Sequence, residues 1–376
     1  MDLRQASRRR GIGIVCFLFL VTFAIAFLRP KRIATVASSK GAQDSQGRTI
    51  QVPQNLKDQK AGPDSHFERL HGADVVWQVP VNPRAVLFLA CGCSHTALDF
   101  WEPSEGCPTC RGFPEDYTLK QAAIERGYAV VGVSSQETCW DSNFPPQDSL
   151  DAPLVKKAID DVIKREALQE LPRFALGASS GGYFITTLAH IVEFDALAVY
   201  IAAGVRGALR EPLASGKPYP PTLFVHMPRD DRTAGAVKTA IEELREVGSE
   251  AAELRCPPLR MTPGFLAERI RGLDRATSEK VFVSFRNGGF LDKDAFLVEN
   301  PRRSAWSSLL TSAGPEVEKF TEHIAEELNV LYGWHELTSL KASETFDWFE
   351  NQCTKNGQLV KGRCREFDAD LADARR

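Results

Sequence analysis

The segment Gly177-Ala178-Ser179-Ser180-Gly181 carries the sharpest chemical meaning in this 376-residue chain. A serine with a glycine two positions away on each side suits a strand-to-helix turn tight enough to leave its Oγ exposed. The flanks fit that setting, with Phe174-Ala175-Leu176 as a β-run before it and Tyr183 to Val192 as a helical pattern after it. Ser179 is therefore the expected nucleophile, with Ser180 the rival. Gly177 and Gly181 relieve crowding against the neighbouring strand and helix. The Ser180 backbone N–H, at the start of the new helix, is placed to donate to an oxyanion.

A serine becomes nucleophilic only beside a base, and the base works best when a carboxylate orients it. An acid just past a strand end, downstream of the serine, is where such a site places its carboxylate. After the strand-like Thr222-Leu223-Phe224-Val225-His226 comes Met227-Pro228-Arg229-Asp230-Asp231. Asp230 is the expected acid and Asp231 the alternative. Only His323 and His335 lie far enough downstream to be the base. His323 falls within a helical pattern, whereas Asn329 to Trp334 reads as an apolar β-run that would leave His335 at a strand end. His335 is the expected base, and His226 reads as structural, with a place beside the site as the alternative.

A second oxyanion donor is expected from the loop Ala90-Cys91-Gly92-Cys93-Ser94-His95, through the Cys93 N–H, with Gly92 allowing close backbone approach. His95 reads either as a substrate contact or as a surface residue. Phe100-Trp101 and Trp140 read as buried packing, with a groove lining as the alternative.

The elements that must position these residues alternate regularly. The first strand is read at Val75 to Val79, and Ala85 to Ala90 is continuously apolar, as a strand covered on both faces is. Helical spacing at 117–126 precedes the β-run Tyr128 to Val133. A helix over about 151–167 opens with Pro153 in its first turn. Further strands are read at Arg173 to Leu176, Ala196 to Ala202, Thr222 to His226 and Glu250 to Arg255. Helices are read at about 233–247, at Glu316 to Leu328 and at Glu344 to Phe349. This alternation predicts an α/β domain over 67–355, with a mostly parallel central sheet and helices on both faces. Residues 257–314, rich in Pro and Gly, break the rhythm and read as an irregular insertion or cap that would shape the choice of acyl group.

Taken together, the Gly-Cys-x-His loop ending in Asp99-Phe100-Trp101, Gly177 to Gly182, Met227-Pro228-Arg229-Asp230 and Trp334-His335-Glu336 resemble the α/β-hydrolase superfamily, in particular a membrane-anchored plant and algal branch of it. The resemblance implies Ser179, Asp230 and His335 as catalytic residues and the Gly92–Cys93 backbone as oxyanion hole. In two respects the chain departs from the superfamily's usual pattern. Cys91-Gly92 stands where that pattern has His-Gly, and about 80 residues separate Arg255 from His335.

Residues 11–28 are uncharged and apolar, long enough to span a bilayer, and flanked by Arg8 to Arg10 and by Arg29 to Arg32. They are expected to be a signal anchor within residues 1–32. The protein would then be single-pass type II, its domain lumenal in the endoplasmic reticulum or Golgi or at the cell surface; secretion after cleavage is the alternative. Residues 33–66 read as a flexible stalk and 356–376 as a tail. Beyond Cys16, the cysteines Cys91, Cys93, Cys107, Cys110, Cys139, Cys256, Cys353 and Cys364 form an even set. In an oxidising lumen such a set favours disulfides over a zinc site, with Cys353 and Cys364 as a local staple. A net charge of −3 without a basic stripe excludes a nucleic-acid role.

The expected function is a serine hydrolase of carboxylesterase type, acting on an acyl or ester substrate without cofactor or metal. The alternatives are an inactive binding protein of the same fold and a secretory-pathway acyltransferase using the same serine.

Overall fold

Alternating apolar runs explain the centre of the molecule. In the computed structural model, which describes residues 65–355 and 358–359, eight strands form one sheet. They are β1 (His66–Leu70), β2 (Ala73–Gln78), β3 (Ala85–Ala90), β4 (Tyr128–Val133), β5 (Arg173–Ala178), β6 (Ala196–Tyr200), β7 (Thr222–His226) and β8 (Ala251–Arg255). Their order is β1-β2-β4-β3-β5-β6-β7-β8. β1 and β2 pair antiparallel, β2 runs antiparallel to β4, and every pairing from β4 through β3 to β8 is parallel.

Side chains alternate between the two faces along each central strand. Leu87, Leu89, Tyr128, Val130, Phe174 and Leu176 enter one core. Val86, Phe88, Ala129, Val131, Ala175 and Val199 enter the other. Each fully buried Val, Leu or Phe contributes roughly 1.5–3 kcal/mol, so both faces must be covered.

The helices are α1 (Pro114–Glu125), α2 (Ala152–Arg165), α3 (Ser180–Leu188), α4 (Arg206–Arg210), α5 (Asp231–Glu246), α6 (Phe265–Arg269), α7 (Arg275–Asn287), α8 (Thr321–Tyr332) and α9 (Ala342–Cys353). α2, α3 and α5 supply the second core, with Val155, Phe184 and Val237 among their buried residues. α1, α6, α7, α8 and α9 supply the first, through residues such as Leu119, Phe265, Phe285, Leu328 and Phe346. The segment 257–314 thus packs on this side, α6 against α7 and α8, and its apolar residues share that core.

Two expectations need correction. The sheet begins one strand earlier than expected, because β1 precedes Val75 and takes His66 out of the stalk. Its sequence HFERL is an edge strand with mostly exposed side chains, so it lacks the apolar pattern that marks buried strands. The expected β-run before His335 is the last turn of α8 instead. Its residues Asn329, Val330 and Leu331 are all buried, and a run apolar on every side cannot be told from a strand by periodicity alone.

The apolar span 11–28, the stalk as far as residue 64, and Cys364 with most of the tail lie outside the described residues. Among the described residues no helix is long and apolar enough to cross a membrane.

Candidate active site

The strand-to-helix turn after β5 has the geometry that its sequence demands. Ser179 sits between β5 and α3 at φ 52° and ψ −116°, a conformation that costs a non-glycine residue about 1–3 kcal/mol. The flanking glycines are obligatory. A Cβ on Gly177 would lie 2.2 Å from the Gly181 oxygen, and one on Gly181 would lie 2.3 Å from the Ala90 oxygen. Gly92 differs, since a Cβ there would meet the Ser179 Cβ at 3.6 Å, an ordinary contact. No clash demands a glycine at 92; a side chain there would stand against the serine.

Three residues far apart in sequence meet at the carboxyl ends of the strands. Ser179 Oγ lies 3.0 Å from His335 Nε2, and His335 Nδ1 lies 2.6 Å from Asp230 Oδ2. With the Nδ1–H donated to the carboxylate, Nε2 is left to accept the serine O–H. Asp230 also caps α5, its Oδ1 accepting the Thr233 N–H at 3.2 Å. Burial alone would raise the Asp230 pKa. The hydrogen bonds from Thr233 and His335 outweigh it and hold the carboxyl below the usual carboxylate range. Asp231 is the first residue of α5, exposed and turned to a neighbouring groove. Asp230 is the acid that meets the histidine.

α8 brings His335 to this point. The helix ends on Gly333 in the left-handed conformation (φ 72°), where its amide caps Asn329 and Val330. A Cβ there would lie 2.9 Å from the Pro258 nitrogen. His335 follows at φ 45°. It therefore leaves a helix end, whereas a strand end was expected.

Two arginines from 257–314 tie down the loop that bears it. Arg302 donates to the His335 carbonyl at 2.8 Å and to Glu336 Oε2 at 2.9 Å, an oxygen that also accepts from Asn329. Arg269 is buried between Glu115 and Glu327. Glu115 in turn accepts from the Thr338 hydroxyl and the Ser339 amide, three and four residues past the histidine. Sequence reasoning missed both ties, since nothing in the insertion's spacing marks these arginines.

The loop after β3 is pinned across from the serine. Cys93 is disulfide-bonded to Cys139, the Ser94 amide donates to Thr138, and Trp140 donates to the Cys91 carbonyl at 2.9 Å. Among the described residues, neither the Cys93 nor the Ser180 amide donates to a backbone carbonyl in the loops and turns. Cys107 and Cys110 form a second disulfide, and Cys353 is disulfide-bonded as well. Cys91 and Cys256, counted in the even set, are buried free thiols. Burial drives the Cys91 pKa well up, which makes its thiol a poor nucleophile. The Ser180 hydroxyl is buried without a hydrogen-bond partner among the described residues.

A cleft of about 670 Å³ opens over Ser179, lined by Gly92, Cys93, His95, Phe113, Ile201 and His335 among others. One face of α8, through Glu322, Ala325, Glu326 and Asn329, forms its wall. Of residues 257–314, Arg302 alone is among the lining residues, so the insertion braces the cleft more than it roofs it. Ser94, Ser179, Ile201 and His335, all lining this cleft, have positive φ. For the β-branched Ile201 (φ 46°) this is a genuine outlier, and such strain collects at functional sites.

His95 lines the cleft, bonded through Nδ1 to the buried Asp99 at 3.1 Å. Burial would lower its pKa, but the Asp99 hydrogen bond and the charges of Asp116, Asp99 and Glu336 overcome this and raise it to about 9. Arg111 grips the same Asp99 through two hydrogen bonds of 2.6 and 2.8 Å. His323 packs edge-on against Phe113, and His226 pairs with Glu253 at 2.9 Å; neither reaches Ser179. Phe100, Trp101 and Trp140 are packed in the cores. Among the described residues no His, Cys, Asp and Glu grouping is arranged to hold a metal.

No family model matches the chain, and no curated protein matches it. Solved structures similar to it include a carboxylesterase from Mesorhizobium loti, at 15% identity over 51% of this chain and 89% of that one, with a TM-score of 0.38. A dienelactone hydrolase from Anabaena variabilis shares 16% identity over 52% and 87%, with a TM-score of 0.37. A thermostable carboxyl esterase from Bacillus coagulans shares 12% over 60% and 98%, again at 0.37. The fold is the α/β-hydrolase fold. Strand order, the antiparallel second strand and the Ser179 turn identify it. Likenesses this distant carry no weight for activity.

Proposed function

We propose that this α/β-hydrolase-fold protein is a serine hydrolase acting on carboxylic esters, with Ser179, His335 and Asp230 as its catalytic triad. One observation carries the reading: the unbroken hydrogen-bond chain from Ser179 Oγ through both ring nitrogens of His335 to Asp230. In this reading Oγ attacks the ester carbonyl carbon while its proton passes to Nε2, and the carbonyl π electrons move onto oxygen. The Cys93 and Ser180 amides stabilise that oxyanion. Collapse breaks the bond to the alcohol, which leaves with the proton from Nε2, and water then repeats the sequence on the acyl-enzyme.

The test is covalent labelling with a fluorophosphonate probe, together with turnover of p-nitrophenyl acetate. Wild type should label at Ser179, Ser179→Ala should not, and His335→Ala should lose several orders of magnitude in kcat. Equal labelling of wild type and Ser179→Ala would refute the reading.

We also infer that the domain lies on the lumenal or extracellular side of a membrane, behind an anchor at residues 11–28, as in the plant and algal branch that the motifs resemble. The Cys93–Cys139 and Cys107–Cys110 disulfides support an oxidising compartment. In sealed microsomes the domain should resist added protease; its digestion would place it on the cytosolic side.

A further inference from the structure

Two buried carboxyls line the cleft over Ser179 without taking part in the chemistry above. Asp116 on α1 and Glu326 on α8 are 2% and 5% exposed. The other buried acids around them are engaged, Asp99 by Arg111 and His95, and Glu336 by Arg302 and Asn329. The buried Arg269 is held by Glu115 and Glu327. Glu326 has no such partner: neither of its oxygens receives an N–H or O–H from any described residue. The polar group set against it is the Asp116 carboxyl, and two carboxyls bond only with a proton between them.

The proton is taken up within the pair, whose remaining lone pairs can only accept, so the partner it lacks is a donor such as a ligand hydroxyl. The pair carries a single negative charge, opposite the protonated His95 across the same cleft. Arg111 and Arg302 offset Asp99 and Glu336. The buried part of the wall is therefore close to neutral, the exposed Glu322 standing outside these pairs, and its density of hydrogen-bonding groups suits a polar ligand with hydroxyls. An apolar occupant would leave the pair's outward-facing acceptors without a donor, so an occupant with hydroxyls is favoured.

We propose that Asp116 and Glu326 form a hydroxyl-recognition subsite, and that the ester acted on is a polyol or sugar ester whose free hydroxyls lie against α8. This rests on the serine-hydrolase reading and names its substrate class. Burial raises the Asp116 carboxyl to about 7, with Asp99 and Glu336 adding to it against the pull of His95. Burial and the charges of Asp116, Glu336, Glu115 and Glu327 hold Glu326 well above the ordinary range. The shared proton thus persists near neutrality.

The test compares two esters, the acetate on the primary hydroxyl of methyl glucoside and cyclohexylmethyl acetate, which keeps the ring but lacks the hydroxyls. kcat/KM is measured for each on the full-length protein, on Asp116→Asn and on Glu326→Gln, with folding checked by circular dichroism. Wild type should favour the glucoside ester by about tenfold or more, and each variant should lower that ratio by about tenfold or more. If wild type shows no preference while the probe still labels Ser179, the subsite fails and the hydrolase reading stands. Retention of the wild-type ratio by both variants also overturns the subsite. Absence of both labelling and turnover defeats the hydrolase reading and this one with it. If one variant does not fold, the wild-type ratio and the other variant decide.

Discussion

The Ser179 turn and the His335 loop meet across a 3.0 Å hydrogen bond but are held in place by different means. The turn is built mostly from neighbouring residues: Ser179 alone separates β5 from α3, Gly177 packs against the Gly181 backbone, and only Gly181 meets a distant element, the Ala90 end of β3. The His335 loop is built from a distance. α8 ends beside Pro258, Arg302 grips the loop from one side, and the Arg269–Glu115 pair grips Thr338 and Ser339 from the other. A nucleophile can thus be fixed by a turn of the sheet, whereas its base depends on an added layer.

The largest expected effect tests the local half. Gly181→Ala drives a Cβ to 2.3 Å from the Ala90 oxygen, so it should yield no soluble folded protein; a native-like circular dichroism spectrum and normal activity would break the comparison. Next, Asp230→Asn should lower kcat by about 10⁴-fold through the wrong histidine tautomer, while Asp231→Asn stays close to wild type in the same ester assay.

On the distant half, Arg269→Ala leaves Glu115 and Glu327 buried without their cation. It should cost about 3–5 kcal/mol in urea unfolding, and a loss below about 1 kcal/mol would show that the tie is not structural. Arg302 is 42% exposed, so Arg302→Ala should barely shift the unfolding midpoint. It should still lower kcat by about 10- to 100-fold with little change in KM, because the base is less well aimed. An unchanged kcat would mean that α8 alone positions His335.

The smallest effect concerns the opposite wall. His95 titrates near 9 when folded against an ordinary 6.5, so its stabilising contribution is complete below about pH 6.5 and lost as pH rises to about 9. Urea midpoints of wild type should fall across that window, and His95→Gln should flatten the fall. An equal slope in both would show that the Asp99 pairing contributes nothing to stability.

Much of the nucleophile's half was legible in the chain itself. Runs apolar on both faces mark β3 through β7, and G-x-S-x-G between strand and helix marks Ser179. Asp230 was marked by its place past β7, though its choice over Asp231 came only with the Nδ1 contact. Less was legible where exposure or burial erased the periodic signal. β1 shows too little apolar pattern to be seen, and the last turn of α8 shows too much to be told from a strand. The even cysteine count also misled about Cys91 and Cys256, because pairing depends on which thiols the fold brings together.

The sequence by itself determined the central strands, the Ser179 turn and the loop past β7 that bears the acid. Each is marked by residues within a few positions of one another, where backbone sterics and burial act directly. Only the tertiary structure decided that His335 completes the hydrogen-bond chain, that Arg302 and Arg269 hold its loop, and that Asp116 and Glu326 line one cleft. Those contacts join residues 33 to 223 positions apart, and which of many polar side chains meet there is set by how the layer carrying α6 to α8 packs on the sheet.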